Sequence, residues 1–323
     1  MSLFKNRLRI FLRIAAIIAV VTLGVVFRNQ IIVAIEQLAL VGWPVLFIFP
    51  LFGIWNFAAA CGWYGLVEAT PRNSVPSRTR LFVIRLEAQA INIIAPLLSI
   101  GGEVLKTSLI AEKRGQITSA PSVILDTISS TIAGLVFSLL GTIYYFTYIQ
   151  DEPRFLILIL SSFLAVLMLF YWPLWLRLLR NIRIFPKDFI VRRVLDLLEG
   201  SSFHFYKPFR RAILWHLVER ILMSVEILIL SWSLGYTIGV TEALFAGAIM
   251  SAFSLLLFFI PAQIGAAEGG LALAFSILDL PANLGLTVAL ARRTRQMITT
   301  SVGLALLAFK ERLGFTKPMS FVK

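Results

Sequence analysis

Of 323 residues, 59% are drawn from AVILMFWYC and only 15% are charged, and the mean hydropathy is +0.87. An ordinary soluble domain is roughly 45–50% apolar even with glycine counted, and a chain of this size has no interior large enough to hide the surplus. The composition excludes disordered, collagen-like and disulfide-scaffold chains and implies an integral membrane protein.

The net charge of +13 would suit a nucleic-acid binder, but the basic residues cluster between apolar runs, as cytoplasmic loops require. No nucleic-acid partner is expected. Cys61 is the sole cysteine, so no intrachain disulfide can form. His204 and His216 stand 12 residues apart without cysteine partners. No metal-ligand spacing, Ser-His-Asp arrangement or cofactor motif is found.

A membrane-crossing helix needs about 20 mostly apolar residues. In chain order, the spans fall at about 10–27, 43–66, 119–148, 155–175, 213–234 and 284–308. The first follows Lys5, Arg7 and Arg9 but ends in Val25-Val26-Phe27-Arg28 without a small-residue cleavage site, so it reads as an uncleaved helix. Pro44 and Pro50 near the start of the second are tolerable in a membrane helix. The tail, the 67–85 stretch with Arg72, Arg78, Arg80 and Arg85, and the end with Lys310, Arg312, Lys317 and Lys323 are all basic. The 176–212 segment is too basic to sit in lipid and predicts a helix on the cytoplasmic surface. The link at 149–154 is the poorest in positive charge. Both termini are therefore expected in the cytoplasm.

Two apolar segments remain, at about 82–115 and 242–279, and each is broken by Pro, Gly and Glu. Freed backbone groups cost several kcal/mol each in hydrocarbon unless protein or water satisfies them. Both segments are therefore read as re-entrant helical hairpins lining a polar cavity. Pro96 precedes Glu103 and Pro261 precedes Glu268 by seven residues, with Gly101 and Gly265 between them. Counting crossings, the hairpins enter from opposite faces, the sequence trace of an inverted repeat. The expected fold is an all-α integral membrane protein, a single polytopic domain over 1–323. It has about six transmembrane helices plus two re-entrant hairpins arranged as an inverted repeat.

A carboxylate within the bilayer must face a cavity or a cation. Glu103 and Glu268 at the breaks are accordingly either ligand or proton groups, or caps of half-helix N-termini, and the two roles are compatible. Arg292, Arg293 and Arg295 fall about a third of the way into the last apolar segment. The 296–308 remainder is too short to span a core of about 30 Å, so these arginines lie inside the membrane envelope. There they either neutralise Glu268 or hold an anionic headgroup. Arg292 and Arg295 share a helix face and Arg293 points elsewhere. Glu219 and Glu226 share a face of the fifth span, and Asp126 in the third has Lys106 or a tail arginine as candidate partner; structural pairing is the favoured reading for all three. Trp43, Tyr171, Trp172, Trp175 and Trp215 read as interfacial anchors.

At its breaks the chain resembles the transmembrane, flippase-like region of bacterial lysylphosphatidylglycerol synthases and their stand-alone relatives. The resemblance rests on Asn92-x-x-x-Pro96-x-x-x-x-Gly101-Gly102-Glu103, on Pro261-x-x-x-Gly265-x-x-Glu268-Gly269, and on Arg292 or Arg293. With Asp126 and Gly101-Gly102-Glu103-Val104, it is most similar to the subgroup associated with hopanoid biosynthesis. Lys106 stands where relatives often place arginine, which keeps the charge and loses the bidentate fork. The chain stops at Lys323, with no aminoacyl-transferase domain after the membrane part, so aminoacyl transfer is not expected.

The resemblance implies a protein of the bacterial inner membrane that moves a phospholipid or a hopanoid or isoprenoid lipid. Its partners would be membrane lipids and lipid-biosynthesis proteins. The candidate substrate-binding residues are Asn92, Pro96, Gly101, Gly102, Glu103, Lys106, Asp126, Pro261, Gly265, Glu268, Gly269, Arg292 and Arg293. Two alternatives stay open: a membrane enzyme of isoprenoid or phospholipid modification, and a scaffold for a lipid-synthesis complex.

Overall fold

The computed structural model describes residues 42–70, 75–94, 100–114, 116–148, 202–257, 263 and 265–309. These form eight helices and no strand: α1 (Val45–Ala69), α2 (Arg78–Ile94), α3 (Ile100–Arg114), α4 (Gln116–Tyr148), α5 (Ser202–Ser233), α6 (Val240–Leu256), α7 (Ala266–Ile277) and α8 (Ala282–Phe309). The expected spans at 10–27 and 155–175, most of the basic 176–212 segment, Pro96 and Pro261 lie outside the described residues.

Two helices carry uninterrupted apolar stretches long enough to cross a membrane, Leu46–Ala69 in α1 and Ser119–Thr147 in α4. With 32 and 28 residues, α5 and α8 match them in length. Their apolar runs are interrupted by Glu219, Arg220 and Glu226, and by Arg292, Arg293 and Arg295. The prolines of the long helices sit in the second turn: Pro50 in α1, Pro121 in α4 and Pro208 in α5. A missing N–H there removes one hydrogen bond close to a helix end and leaves the rest of the ladder intact. α1 stops at Thr70, whose N–H and hydroxyl both donate to the Val67 carbonyl.

Apolar side chains face outward as well as inward. Leu46 and Ile54 on α1, Leu140 and Ile143 on α4, Leu214, Val218 and Ile221 on α5, and Ile298 and Val302 on α8 are exposed. On the same α5, His216, Glu219 and Glu226 are buried. An outward apolar belt around an interior that holds charge is what a hydrocarbon solvent selects.

Three apolar clusters form: one mainly from α1–α4 around Trp63, Leu66, Leu81 and Ile84, a second mainly from α5–α8 around Phe245, Ile249, Leu271 and Phe275, and a small one of Phe52, Trp55 and Leu86 from α1 and α2. The packing partners fall into two sets. α2 packs on α3 and α3 on α4, as α6 packs on α7 and α7 on α8. α1 packs on α2 and α4, as α5 packs on α6 and α8. Between the sets, α4 meets α6, α8 meets α2, and α1 meets α5. Exchanging α1–α4 for α5–α8 reproduces every one of these pairings; the additional α4–α5 contact has no comparably extensive counterpart.

The structure corrects two sequence expectations. Residues 202–212, expected in a surface segment, belong to the same helix as the apolar stretch after them. Arg85, counted among loop charges because Arg78 and Arg80 precede it, is buried one turn beyond Leu81 in α2.

Candidate functional site

Each broken segment carries two helices. α2 ends at Ile94 and α3 begins at Ile100, while α6 ends at Leu256 and α7 begins at Ala266. Each break exposes the first N–H groups of a helix, and the two halves satisfy them differently. In the first, the Asn92 side-chain carbonyl accepts from the Gly102 N–H at 2.6 Å, so α2 caps α3. Gly102 has to be glycine, because a Cβ would lie 2.5 Å from the Ala88 carbonyl oxygen and 2.6 Å from Asn92 Nδ2. In the second, Gly265 adopts φ +86°, a left-handed turn that glycine takes without penalty. Its N–H donates to Glu268 Oε2 at 3.1 Å, the carboxylate reaching back from the first turn of α7.

Gly101 and Glu103 lie with Gly102 in the first turn of α3. Glu103 Oε1 accepts from Lys106 Nζ at 3.0 Å. Lys106 also reaches Asp126 Oδ2 at 3.4 Å and lies over the Trp63 ring, 5.4 Å from its centroid. Asp126 Oδ2 further accepts from Arg85 Nη1 at 3.2 Å, and Arg85 Nη2 donates to Glu219 Oε1 at 3.4 Å. His216 completes this network. Fully buried, it places Nε2 3.0 Å from Asp126 Oδ1 and Nδ1 2.7 Å from Glu219 Oε2. Five of these six charged or titratable groups are less than one-tenth exposed; only Glu103 is more open.

A second network joins α5 to α8. Glu226, wholly buried, accepts from Arg292 Nε at 3.1 Å and from Arg295 Nε at 2.5 Å. Arg292 also donates to Met250 Sδ. Arg295 lies over the Phe52 and Trp55 rings at 4.6 and 5.6 Å, contacts that favour a cation where water is scarce. Arg293 points away from Glu226, as the spacing predicts, and donates to Glu268 Oε1 at 2.7 Å and the Gln263 carbonyl at 3.5 Å. Gly269 packs against Phe253, with room for a Cβ at 3.5 Å.

Beside the second network lies a cavity of about 310 Å³, within the range of small-ligand sites. Asn92 and Ile93 line it from the first break, Gln263 and Ala267 from the second, and Arg292, Arg293 and Arg295 from α8. Phe52 and Trp55 line it from α1. Two buried donors of lining residues have no hydrogen-bond partner among the described residues: Arg295 Nη1 and Trp55 Nε1. Each is a group that an added acceptor would satisfy.

Of the sequence candidates, Asn92, Arg292 and Arg293 line the cavity, and Glu268 sits behind Arg293. Glu103, Lys106 and Asp126 belong instead to the His216 network. Sequence reasoning missed His216, Arg85 and Trp55. The i,i+3 spacing of His216 and Glu219 on a helix was the available signal for the first. For Arg85 it was the apolar run Leu81-Phe82-Val83-Ile84 immediately before it.

The family model described as the lysylphosphatidylglycerol synthase TM region matches residues 10–303. The chain belongs to that family. It is thus a membrane protein connected with lipid metabolism or transport. Every helix described above begins and most of them end within the stretch shared with the lysylphosphatidylglycerol synthase TM family. No curated protein and no solved structure shows a significant match to the chain.

Proposed function

We propose that this protein moves a lipid with an anionic headgroup across the bacterial cytoplasmic membrane, with the headgroup passing through the cavity between the two breaks. One observation carries the reading: three arginines of α8 line a cavity that both breaks also border. Glu226 and Glu268 pair with those arginines. Arg295 Nη1 and Trp55 Nε1 are buried donors that a phosphate oxygen reaching them would satisfy, and charge-assisted bonds to arginine are among the stronger ones available. Acyl or polycyclic tails would remain in the bilayer beside the exposed apolar belt.

The same reading gives the architecture: one polytopic domain of about six crossings, with α2–α3 and α6–α7 as re-entrant hairpins entering from opposite faces. The matched packing of α1–α4 and α5–α8 supports an inverted repeat, and a binding site between the repeats follows the general pattern of such transporters. The hopanoid-associated subgroup remains the nearest resemblance for the lipid class.

The test is lipid sidedness in vesicles reconstituted with pure protein. Fluorescent phosphatidylglycerol should redistribute between leaflets faster than in protein-free vesicles, and Arg293→Ala or Glu268→Gln should abolish the gain while the protein still inserts. Equal rates with and without protein would overturn the proposal.

A further inference from the structure

The His216 network contains one proton more than its carboxylates and a neutral imidazole would hold. Both ring nitrogens face carboxylate oxygens, at 2.7 and 3.0 Å. A carboxylate oxygen accepts, so both nitrogens must donate, and a histidine that donates twice is an imidazolium. Arg85 donates to Asp126 and to Glu219, so both negative charges are matched and the proton resides on the ring. With it there, Arg85, Lys106 and His216 balance Asp126, Glu219 and Glu103. Two further charged side chains stand on the same helices, the buried Glu87 on α2 and the half-buried Arg220 on α5, one of each sign. Trp63, from α1, contributes only its ring. Removing the proton leaves a net negative charge among groups of which only Glu103 is appreciably exposed, a costly state unless a neighbouring charge changes too.

The neighbouring charge is in the cavity. α5 carries His216 and Glu219 into this network and Glu226, two turns further along, into the arginines that line the cavity. Seven residues of helix separate the two carboxylates by about 10 Å, close enough for an anion at the arginines and a proton at His216 to favour one another.

We propose that the His216 network is a proton-binding site coupled to the anionic headgroup, so that lipid and proton are carried together. The proton is held between His216, Asp126 and Glu219, and the headgroup's negative charge is compensated by it on each passage. The coupling rests on the transport reading given above, whereas the proton site itself rests on the ring geometry alone.

Two measurements separate these. First, 15N spectra of histidine-labelled protein in nanodiscs, with His204→Gln used to assign the signals, should show His216 protonated on both nitrogens at neutral pH. A neutral, single-tautomer ring would overturn the proton site. Second, phosphatidylcholine vesicles with a trace of fluorescent phosphatidylglycerol, a pH dye inside and an imposed gradient should show proton entry matched to lipid movement. A gradient of about one pH unit should change the lipid rate by about tenfold in the wild type, and His216→Gln should leave residual movement insensitive to the gradient. Lipid movement without proton flux in the wild type overturns the coupling and leaves the transport reading standing. No lipid movement in the wild type overturns both, and the spectra still decide the proton site.

Discussion

Glu219 and Glu226 lie two helical turns apart on α5, and each is the anchor of a different buried charge network. Glu219 holds His216 and Arg85, while Glu226 holds Arg292 and Arg295. One helix thereby fixes α2 on one side and α8 on the other.

Their substitutions should differ in cost. Glu226→Gln leaves two buried guanidinium groups without a counter-charge and should destabilise the protein by about 3–5 kcal/mol. Glu219→Gln should cost less, because Arg85 keeps Asp126. Thermal unfolding of both variants in one detergent checks the order, and replacing Arg295 by Met beside Glu226→Gln should recover part of the loss.

The glycines at the two breaks should fail for opposite reasons. Gly265→Ala meets no neighbouring atom within 4 Å but must hold φ at +86°, at a cost of about 1–2 kcal/mol. Gly102→Ala has an ordinary backbone to adopt and collides with the Ala88 carbonyl and Asn92, costing about 1–3 kcal/mol. Adding Asn92→Gly should relieve part of the second penalty and none of the first, as read by denaturant or thermal unfolding.

Trp55→Phe keeps an aromatic ring against Arg295 and removes the indole N–H on the cavity lining. Stability should remain within about 0.5 kcal/mol, whereas binding of glycerol phosphate should weaken about fivefold, the size of one hydrogen bond. Unchanged binding by calorimetry would take Trp55 out of the site.

Arg293 and Glu268 should prove energetically coupled. A double-mutant cycle with Arg293→Gln and Glu268→Gln should give an interaction of about 1–3 kcal/mol, and Glu268→Gln alone should be the costlier, since it also weakens the turn at Gly265.

Much of the architecture was legible in the amino acids. Gly265 takes its left-handed turn before α7 for backbone reasons that need no tertiary information, and the i,i+3 rule separated Arg292 and Arg295 from Arg293. The interior charge networks were harder to read. Arg85 follows Arg78 and Arg80 in sequence, and only the fold turns it inward onto Asp126, 41 residues away. His216 gains its meaning from Asp126, 90 residues distant, a proximity that no local pattern encodes. Trp55 resembled any apolar residue of a span until its neighbours on α8 were in place.

Glu268 divides its two oxygens between unlike tasks: Oε2 fastens the turn at Gly265, and Oε1 tethers Arg293. Under the transport proposal, an anion that draws Arg293 away from Glu268 also loads the turn that starts α7, because one carboxylate holds both.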